Sequence, residues 1–244
     1  MSDAVSGSDG QSLEIEVPAD PLASHPASAY LWGHIAGSGD VGDDTVEVVT
    51  NDEASANVLA AIAGGEIDHE TNSREYAHDA SITRTEDEYT LEIGSSETAS
   101  GDTVRETDDA LFGRRSTLGL PVDGRGNYRF SAFSSHEREL LRGILEGCGT
   151  ICFKSKSETV GISFVHDDEA LLELTRELIE DCPIEAPMGE LSETSSGGYW
   201  FGVDDAAAPE FGTWLYEDCE ETGLYAPSRE RKLRKSLEQA ESYD

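Results

Sequence analysis

Positive charge is scarce in this sequence. Acidic residues outnumber basic ones 51 to 17, the formal net charge is −34, and lysine occurs only at Lys154, Lys156, Lys232 and Lys235. The acids lie in every segment, a pattern typical of proteins from salt-accumulating halophiles; nucleic-acid mimicry and cation binding are the alternatives. Because the Debye length falls to about 3 Å at molar salt, the charge disfavours binding to nucleic acid but leaves that hypothesis open.

Long apolar stretches are also lacking. No run reaches the length of a membrane-spanning helix, and the N-terminus has neither the basic region nor the apolar segment of a signal peptide. We therefore expect a cytoplasmic protein that contacts no membrane. With 244 residues, 37% of them hydrophobic, the chain can bury a sizeable core and is expected to be globular.

Spacings typical of metal sites are missing as well. Cys148 and Cys152 are separated by three residues rather than the two of common structural zinc sites, and the histidines show no HExxH or HxH pattern. A soft-metal site formed by Cys148, Cys152 and His166 is an alternative, but the favoured interpretation is buried, reduced thiols in the core. The sequence thus predicts no metal and no cofactor.

Two nine-residue segments, Leu31–Gly39 (LWGHIAGSG) and Leu141–Gly149 (LRGILEGCG), each predict a short apolar helix. Glycine inside a helix costs about 1 kcal/mol relative to alanine, and glycines four apart share one face, so they indicate close contact with a partner helix. The last glycine of each segment is expected in a left-handed C-cap. The glycines concerned are Gly33, Gly37, Gly39, Gly143, Gly147 and Gly149.

The chain also shows signs of internal duplication. The two glycine-containing segments are separated by the same interval as two aromatic-led strand candidates, Tyr89–Ile93 and Tyr199–Val203. In addition, Asn51–Ala54 (NDEA) matches Asp167–Ala170 (DDEA), and each tetrapeptide follows a valine-containing strand candidate. Each also offers two candidate caps for the helix that follows, Asn51 or Asp52 in the first and Asp167 or Asp168 in the second. Three pairings in the same order indicate a tandem repeat.

The two halves are expected to share an order of elements, with one further strand possible after the first glycine-containing helix. Expected strands are Thr45–Val49, Asp79–Arg84, Glu88–Ile93, Thr150–Lys154, Thr159–Val165 and Gly198–Val203. Expected helices are Glu53–Ala63, Ala110–Leu118, Glu169–Ile179, Pro209–Cys219 and a basic helix, Arg229–Ala240, with a long loop at 94–107.

Both glycine-containing segments resemble the LAGLIDADG family of homing endonucleases and its relatives, whose nine-residue motif aligns with them without gaps. The resemblance implies an α+β fold of two αββαββα repeats around a pseudo-twofold axis. The repeats would cover residues 28–125 and 126–244, after an acidic disordered leader at 1–27.

In active relatives the eighth motif residue is an acid that holds a divalent metal, whereas this chain has Ser38 and Cys148 there. Since Mg²⁺ prefers hard oxygen ligands, the resemblance implies a scaffold without nuclease chemistry. Asp40 and Glu146 could be offered as substitute ligands, but a structural role is the favoured interpretation for Glu146. The sequence therefore predicts no catalytic residue.

The predicted function is that of a non-catalytic binding or regulatory module with a DNA or protein partner, similar to bacterial regulators that carry a degenerate LAGLIDADG domain. A monomer with internal pseudo-symmetry is expected. One alternative is an accessory protein of a small-molecule pathway, by likeness to acidic haloarchaeal proteins associated with cobalamin-synthesis operons; another is an active DNA endonuclease. Lys154 and Lys156, expected on one face of a strand, could contact nucleic acid or only balance nearby acids, and the final helix offers Arg229, Arg231 and Lys232.

Overall fold

The structure, a computed structural model, describes residues 15–42, 45–76, 79–94, 118–120 and 126–243. The first half contains helix α1 (Pro26–Ser38), strands β1 (Gly39–Val41) and β2 (Thr45–Thr50), helix α2 (Glu53–Ala63), and strands β3 (Glu66–Tyr76) and β4 (Asp79–Gly94).

The second half repeats this order after a 3-10 turn at Phe130–Phe133. It contains α3 (Glu137–Cys148), β5 (Gly149–Lys154), β6 (Thr159–His166), α4 (Glu169–Asp181), β7 (Ser192–Glu193), β8 (Tyr199–Gly202), α5 (Ala208–Tyr216), α6 (Cys219–Thr222) and α7 (Pro227–Glu241).

Each half forms one four-stranded antiparallel sheet, with strand orders β1-β2-β4-β3 and β5-β6-β8-β7. The pairing registers correspond as well, because Gly39 pairs with Val48 where Gly149 pairs with Phe164. Two such sheets with their helices confirm the predicted α+β class and the internal duplication. The division of the chain between residues 125 and 126 stays a prediction.

Both halves begin their second helix in the same way. Asp52 caps α2 by accepting hydrogen bonds from the backbone nitrogens of Ala54 and Ser55, and Asp168 caps α4 by accepting one from Ala170. An aspartate oxygen satisfies amide groups that the first helical turn leaves unpaired. Of the two candidate caps in each tetrapeptide, the structure uses the second.

The second carboxylate oxygen of each cap reaches a distant segment. Oδ2 of Asp52 accepts a hydrogen bond from the backbone nitrogen of Ser228 at the start of α7, at 2.7 Å. Oδ2 of Asp168 accepts one from the backbone nitrogen of Gly126 at 2.7 Å and one from the Tyr128 hydroxyl at 3.1 Å. Each cap therefore ties its helix to a segment far along the chain.

The helices cover the inner face of each sheet and leave the outer face exposed. Buried strand residues of the first sheet include Val41, Val46, Val48, Leu91 and Ile93; those of the second include Ile151, Ile162, Phe164 and Phe201. Among the described residues, no helix combines the length and the apolar character needed to cross a bilayer.

Several predictions of local structure were wrong. Strand β3 was missed, and β4 is one strand from Asp79 to Gly94 rather than two, because the two strands pair along most of their length regardless of their polar sequence. The short strand β1 occupies the place left open for one more strand after the first glycine-containing helix. The predicted helix 110–118, except Leu118, and most of the predicted loop 94–107 lie outside the described residues.

Part of the predicted disordered leader is folded. Ile15 and Leu22 pack against the core, and the carbonyl oxygen of Pro21 accepts a hydrogen bond from Nε1 of the buried Trp32 at 2.9 Å. The leader prediction for residues 1–14 lies outside the described residues.

Candidate functional site

Helices α1 and α3 touch along their backbones at the centre of the molecule. A Cβ atom added to Gly33 would collide with the carbonyl oxygen of Leu140, and one added to Gly143 would collide with that of Tyr30. Tyr30 and Leu140 occupy equivalent positions of the two helices, so the glycine of each helix contacts the same carbonyl group of the other. Two helices related by a pseudo-twofold axis are expected to make such paired contacts. Only glycine leaves room for this approach.

The second glycine of each helix lies at the same contact, nearer the helix ends. A Cβ on Gly147 would lie 2.9 Å from Cα of Gly37 and 2.9 Å from the carbonyl oxygen of His34. A Cβ on Gly37 would lie 3.0 Å from the backbone nitrogen of Cys148. The structure thus places all four interior glycines between α1 and α3.

The glycines that close the two helices are not left-handed, and that prediction was wrong. Gly39 has φ −85° and Gly149 has φ −98°, because a strand begins at each of these residues. Close approach explains the glycines instead. A Cβ there would lie 2.7 Å from the carbonyl oxygen of Ile35 or 2.6 Å from that of Leu145.

The side chains of Ser38 and Cys148 turn back onto their own helices. The Ser38 hydroxyl donates a hydrogen bond to the carbonyl oxygen of His34 at 3.2 Å, and the Cys148 thiol donates one to that of Ile144 at 3.4 Å. Both acceptors lie four residues earlier, so the two copies share one geometry. Nδ1 of His34 lies 3.0 Å from the Ser38 hydroxyl as well.

Near neutral pH, the side chains of Ser38, Cys148 and His34 at the C-terminal ends of α1 and α3 are uncharged. Burial raises the pKa of the Cys148 thiol to about 12, and burial lowers the pKa of His34 to about 4. The positive charge of Arg229, at the start of α7, acts on both groups. A thiol, a hydroxyl and a neutral imidazole are not the anionic oxygens on which two-metal phosphodiester cleavage depends.

Groups that could coordinate a metal were sought across the described part of the chain. No cluster of three or more histidine, cysteine, aspartate or glutamate side chains there has suitable geometry. His166, in the suggested thiol site, accepts a hydrogen bond through Nδ1 from the backbone nitrogen of Asp168 at 2.9 Å. The described residues therefore do not form the alternative soft-metal site.

Glu146 belongs to a buried network rather than to a metal site. Its carboxylate accepts hydrogen bonds from the Tyr30 hydroxyl at 2.6 Å and from the backbone nitrogen of Ala226 at 2.9 Å. Burial raises the pKa of Glu146 to about 7, while those two hydrogen bonds and the nearby Arg142 charge oppose the rise. This carboxylate joins α1, α3 and the start of α7.

Arg142 extends the same network, and the sequence analysis missed it. Its Nε donates a hydrogen bond to the carbonyl oxygen of Leu215 at 2.8 Å, and its Nη1 donates one to that of Leu224 at 2.9 Å. The side chain is 1% exposed. A charged pair four residues apart inside an apolar helix motif was the available signal, because such residues share one helix face.

The outer face of the first sheet is lined by carboxylates. Residues directly opposite each other in an antiparallel pair lie on the same face. Asp40 pairs with Glu47, Glu47 with Glu92 and Glu92 with Glu66, so carboxylates form a row across all four strands. Asp40, offered as a substitute metal ligand, is the exposed first member of this row. Glu70 and Glu88 form another acidic pair on that face.

Corresponding positions of the second sheet carry small neutral residues. Thr150 pairs with Ser163 and Ser163 with Gly202, where the first sheet has Asp40, Glu47 and Glu92. The neighbouring row is Val165, Trp200 and Ser192, of which Val165 is 47% and Trp200 43% exposed. The paired outer positions of this sheet contain no carboxylate among the described strands.

The basic residues named from the sequence separate into two groups. Lys154 ends β5 on the outer face, where its ammonium group bonds to Asp205, while Lys156 lies in the exposed turn after that strand. Their prediction as neighbours on one strand face was wrong, because the strand ends at Lys154.

The other group lies on α7, in the helical layer behind the second sheet. Leu233 of α7 and Ile162 of the inner sheet face both approach Gly212 of α5. Arg231 and Lys232 are exposed on α7, whereas Arg229 is half-buried near the paired helix ends. The candidate contacts therefore do not form one continuous surface.

Two glycine-containing helices packed between two antiparallel sheets are the architecture of LAGLIDADG proteins. A family model described as "Putative archaeal homing endonuclease", of the LAGLIDADG type, matches residues 7–243. The chain belongs to this LAGLIDADG family. Among curated proteins, no sequence matches.

A solved homing endonuclease has the same fold. The homing endonuclease I-WcaI bound to its DNA recognition sequence is similar with a TM-score of 0.50 and 10% identity, over 87% of this chain and 87% of that protein. Full-length DUF199/WhiA from Thermatoga maritima is similar with a TM-score of 0.48 and 13% identity, over 93% of this chain. The chain spans 65% of the length of WhiA. At these identities the likeness concerns the fold, not the activity.

Proposed function

We propose that this protein binds duplex DNA on a LAGLIDADG scaffold and does not cleave it. Its family membership and the likeness of its fold to an endonuclease bound to a DNA recognition sequence support DNA as the partner. Lys154 and Lys156 border one outer sheet face and are the proposed phosphate contacts there, while Arg229, Arg231 and Lys232 are a separate candidate set. A cytoplasmic, halophilic protein remains our expectation from the sequence.

The observation that carries the non-cleaving part of the proposal is the geometry of Ser38 and Cys148. Each ends its helix at the motif position where active relatives have an acid, and each bonds to its own helix backbone. A thiol whose pKa is about 12 stays protonated at neutral pH and offers a metal no thiolate. The site therefore lacks an anionic ligand from either helix end.

Cleavage and binding are tested on the same preparation. We expect supercoiled plasmid to stay intact with Mg²⁺ or Mn²⁺ across a KCl series, while a labelled random-sequence duplex is retained with an affinity that falls as KCl rises. The double variant Ser38→Asp/Cys148→Asp, which places carboxylates at both motif positions, is tested beside the unmodified chain for plasmid cleavage and duplex binding. Metal-dependent nicking by the unmodified chain, abolished by EDTA, would refute the non-cleaving proposal. Absence of duplex retention at every salt concentration would refute the binding proposal.

A further inference from the structure

The equal registers of the two sheets allow their outer faces to be compared position by position. Asp40 corresponds to Thr150 because each follows the glycine that starts the first strand of its sheet. Across the sheets, the paired partners Glu47 and Glu92 then correspond to Ser163 and Gly202. At each of these positions the first sheet carries a carboxylate, whereas the second carries a hydroxyl group or, at Gly202, no side chain.

Charge alone makes the two faces unequal toward a phosphate backbone. A carboxylate about 6 Å from a phosphate repels it enough, in bulk water, to lower affinity by about threefold. Among the described residues, Asp40, Glu47, Glu66 and Glu92 form no salt bridge that would neutralise this repulsion. A row of such positions therefore costs an approaching duplex well over tenfold in affinity.

The second face offers what the first lacks. Lys154 lies across Gly161, where an added Cβ would collide with its aliphatic stem, and its ammonium group pairs with Asp205, so the edge of this face carries an ion pair without net charge. Val165 and Trp200 add exposed apolar surface that can pack against sugars and base edges. The longest strands of this sheet, β5 and β6, have six and eight residues. At about 3.4 Å per residue the face is roughly 20–27 Å long, which is less than one helical turn of duplex.

We infer that DNA lies against the outer face of the second sheet alone, and that the acidic row of the first sheet keeps the backbone away from the other half. This inference rests on the proposed DNA-binding function. It makes binding asymmetric, because only one of the two related sheets contacts DNA and the bound site is about half as long as one contacted by both sheets.

Two double variants exchange the outer rows of the sheets. Thr150→Asp/Ser163→Glu gives the second sheet the acids of the first, and Asp40→Thr/Glu47→Ser does the reverse. Binding of a labelled random-sequence duplex is measured by fluorescence anisotropy over a KCl series, with circular dichroism and thermal unfolding as folding controls. At the lowest KCl concentration we expect the first variant to lower affinity about tenfold and the second to change it by less than about twofold, and both effects should shrink as KCl rises.

Hydroxyl-radical labelling of the unmodified chain supplies an independent readout. We expect DNA to protect Val165 and Trp200 from oxidation and to leave Val49, the exposed counterpart of Val165 on the first sheet, unprotected. If no duplex is retained, the proposed function itself fails. If the duplex is retained but Val49 is protected as strongly as Val165, or neither is protected, the one-sheet inference fails and the proposed function stands. A tenfold gain in affinity from Asp40→Thr/Glu47→Ser would also overturn the inference, because it would place DNA beside the first sheet.

Discussion

The two halves of this molecule agree inside and differ outside. Their buried strand positions pair in the same register, yet the outer row Asp40, Glu47 and Glu92 of the first sheet corresponds to Thr150, Ser163 and Gly202 in the second. A core side chain must pack against the helices, whereas a side chain on the outer face contacts mainly water. A substitution on the outer face therefore does not disturb the fold. The duplicated fold can therefore carry two surfaces of opposite character.

The paired helices show the same contrast on a smaller scale. Both use glycine at the contact, but α3 carries Arg142 and Glu146 at the motif positions where α1 has Trp32 and Ala36. The charged pair bonds to backbone groups of α5 and of the segment just before α7, whereas Trp32 donates a hydrogen bond to the Pro21 carbonyl oxygen. The contact itself is symmetric, while the surroundings of the two helices are not.

The largest effect on stability should come from disrupting the symmetric glycine contact between α1 and α3. Gly33→Ala and Gly143→Ala each place a Cβ against a backbone carbonyl that cannot move without displacing the partner helix. We expect each change to lower the free energy of unfolding by more than about 3 kcal/mol, and by similar amounts. Urea unfolding at fixed KCl measures this.

Gly189→Ala is the control for this pair, because its Cβ would lie 3.7 Å from the nearest atom, the Gly202 carbonyl oxygen. We expect it to cost less than about 1 kcal/mol. If Gly33→Ala were tolerated while Gly143→Ala was not, the reciprocal contact between the helices would be incorrect.

The symmetric features were also the ones that the sequence could predict. The glycine spacing indicated the helix contact, the tetrapeptides before α2 and α4 indicated their capping aspartates, and the motif indicated the neutral residues Ser38 and Cys148. Each of these features can be recognised from residues that are close together in the sequence, so the rest of the fold need not be known.

Features that depend on distant segments could not be predicted in this way. Strand β3 has one aliphatic residue, Ile67, and exists because it pairs with β4. The place of Lys156 depends on where β5 ends, and the role of Arg142 depends on carbonyl groups more than seventy residues away in the chain. The unequal outer faces, by contrast, were readable from strand alternation once the registers were known.

The Glu146 carboxylate, present only in the second helix, should make stability depend on pH. Burial raises its pKa in the folded state from 4.5 to about 7, so the folded protein binds the proton more tightly than the unfolded chain. Its contribution is therefore complete below about pH 4.5 and is lost as the pH rises through about 7. The loss is at most about 3 kcal/mol.

Glu146→Gln removes the titrating group and should flatten that part of the profile. The measurement is the difference in unfolding free energy between the two proteins from pH 5 to pH 8, because the many surface acids titrate alike in both. Glu173→Gln, at an exposed position of α4, should leave the profile unchanged. A parallel pair of profiles for Glu146→Gln and the unmodified chain would contradict the raised pKa.

The capping aspartates allow a comparison of the two halves at a matched site. Asp52→Ala and Asp168→Ala each remove a helix cap and a hydrogen bond to a distant segment, and we expect a cost of about 1–2 kcal/mol in unfolding free energy. The two costs should be similar, since each aspartate accepts three hydrogen bonds. Thermal unfolding of both variants beside Glu173→Ala measures this, and a cost below about 0.5 kcal/mol would mean that the cap is not formed.

The smallest effect tests the outer faces themselves. Glu47 lies between Asp40 and Glu92, and like charges directly opposite each other destabilise a sheet, so Glu47→Ser should raise the unfolding free energy by about 0.5 kcal/mol in dilute buffer. The reverse change, Ser163→Glu, introduces a charge between Thr150 and Gly202 and should change stability by less than that. Because molar KCl shortens the Debye length to about 3 Å, the gain from Glu47→Ser should disappear there. Urea unfolding at low and molar KCl measures both variants. A gain that persisted at molar salt would mean that strand propensity, rather than repulsion between carboxylates, distinguishes the two faces.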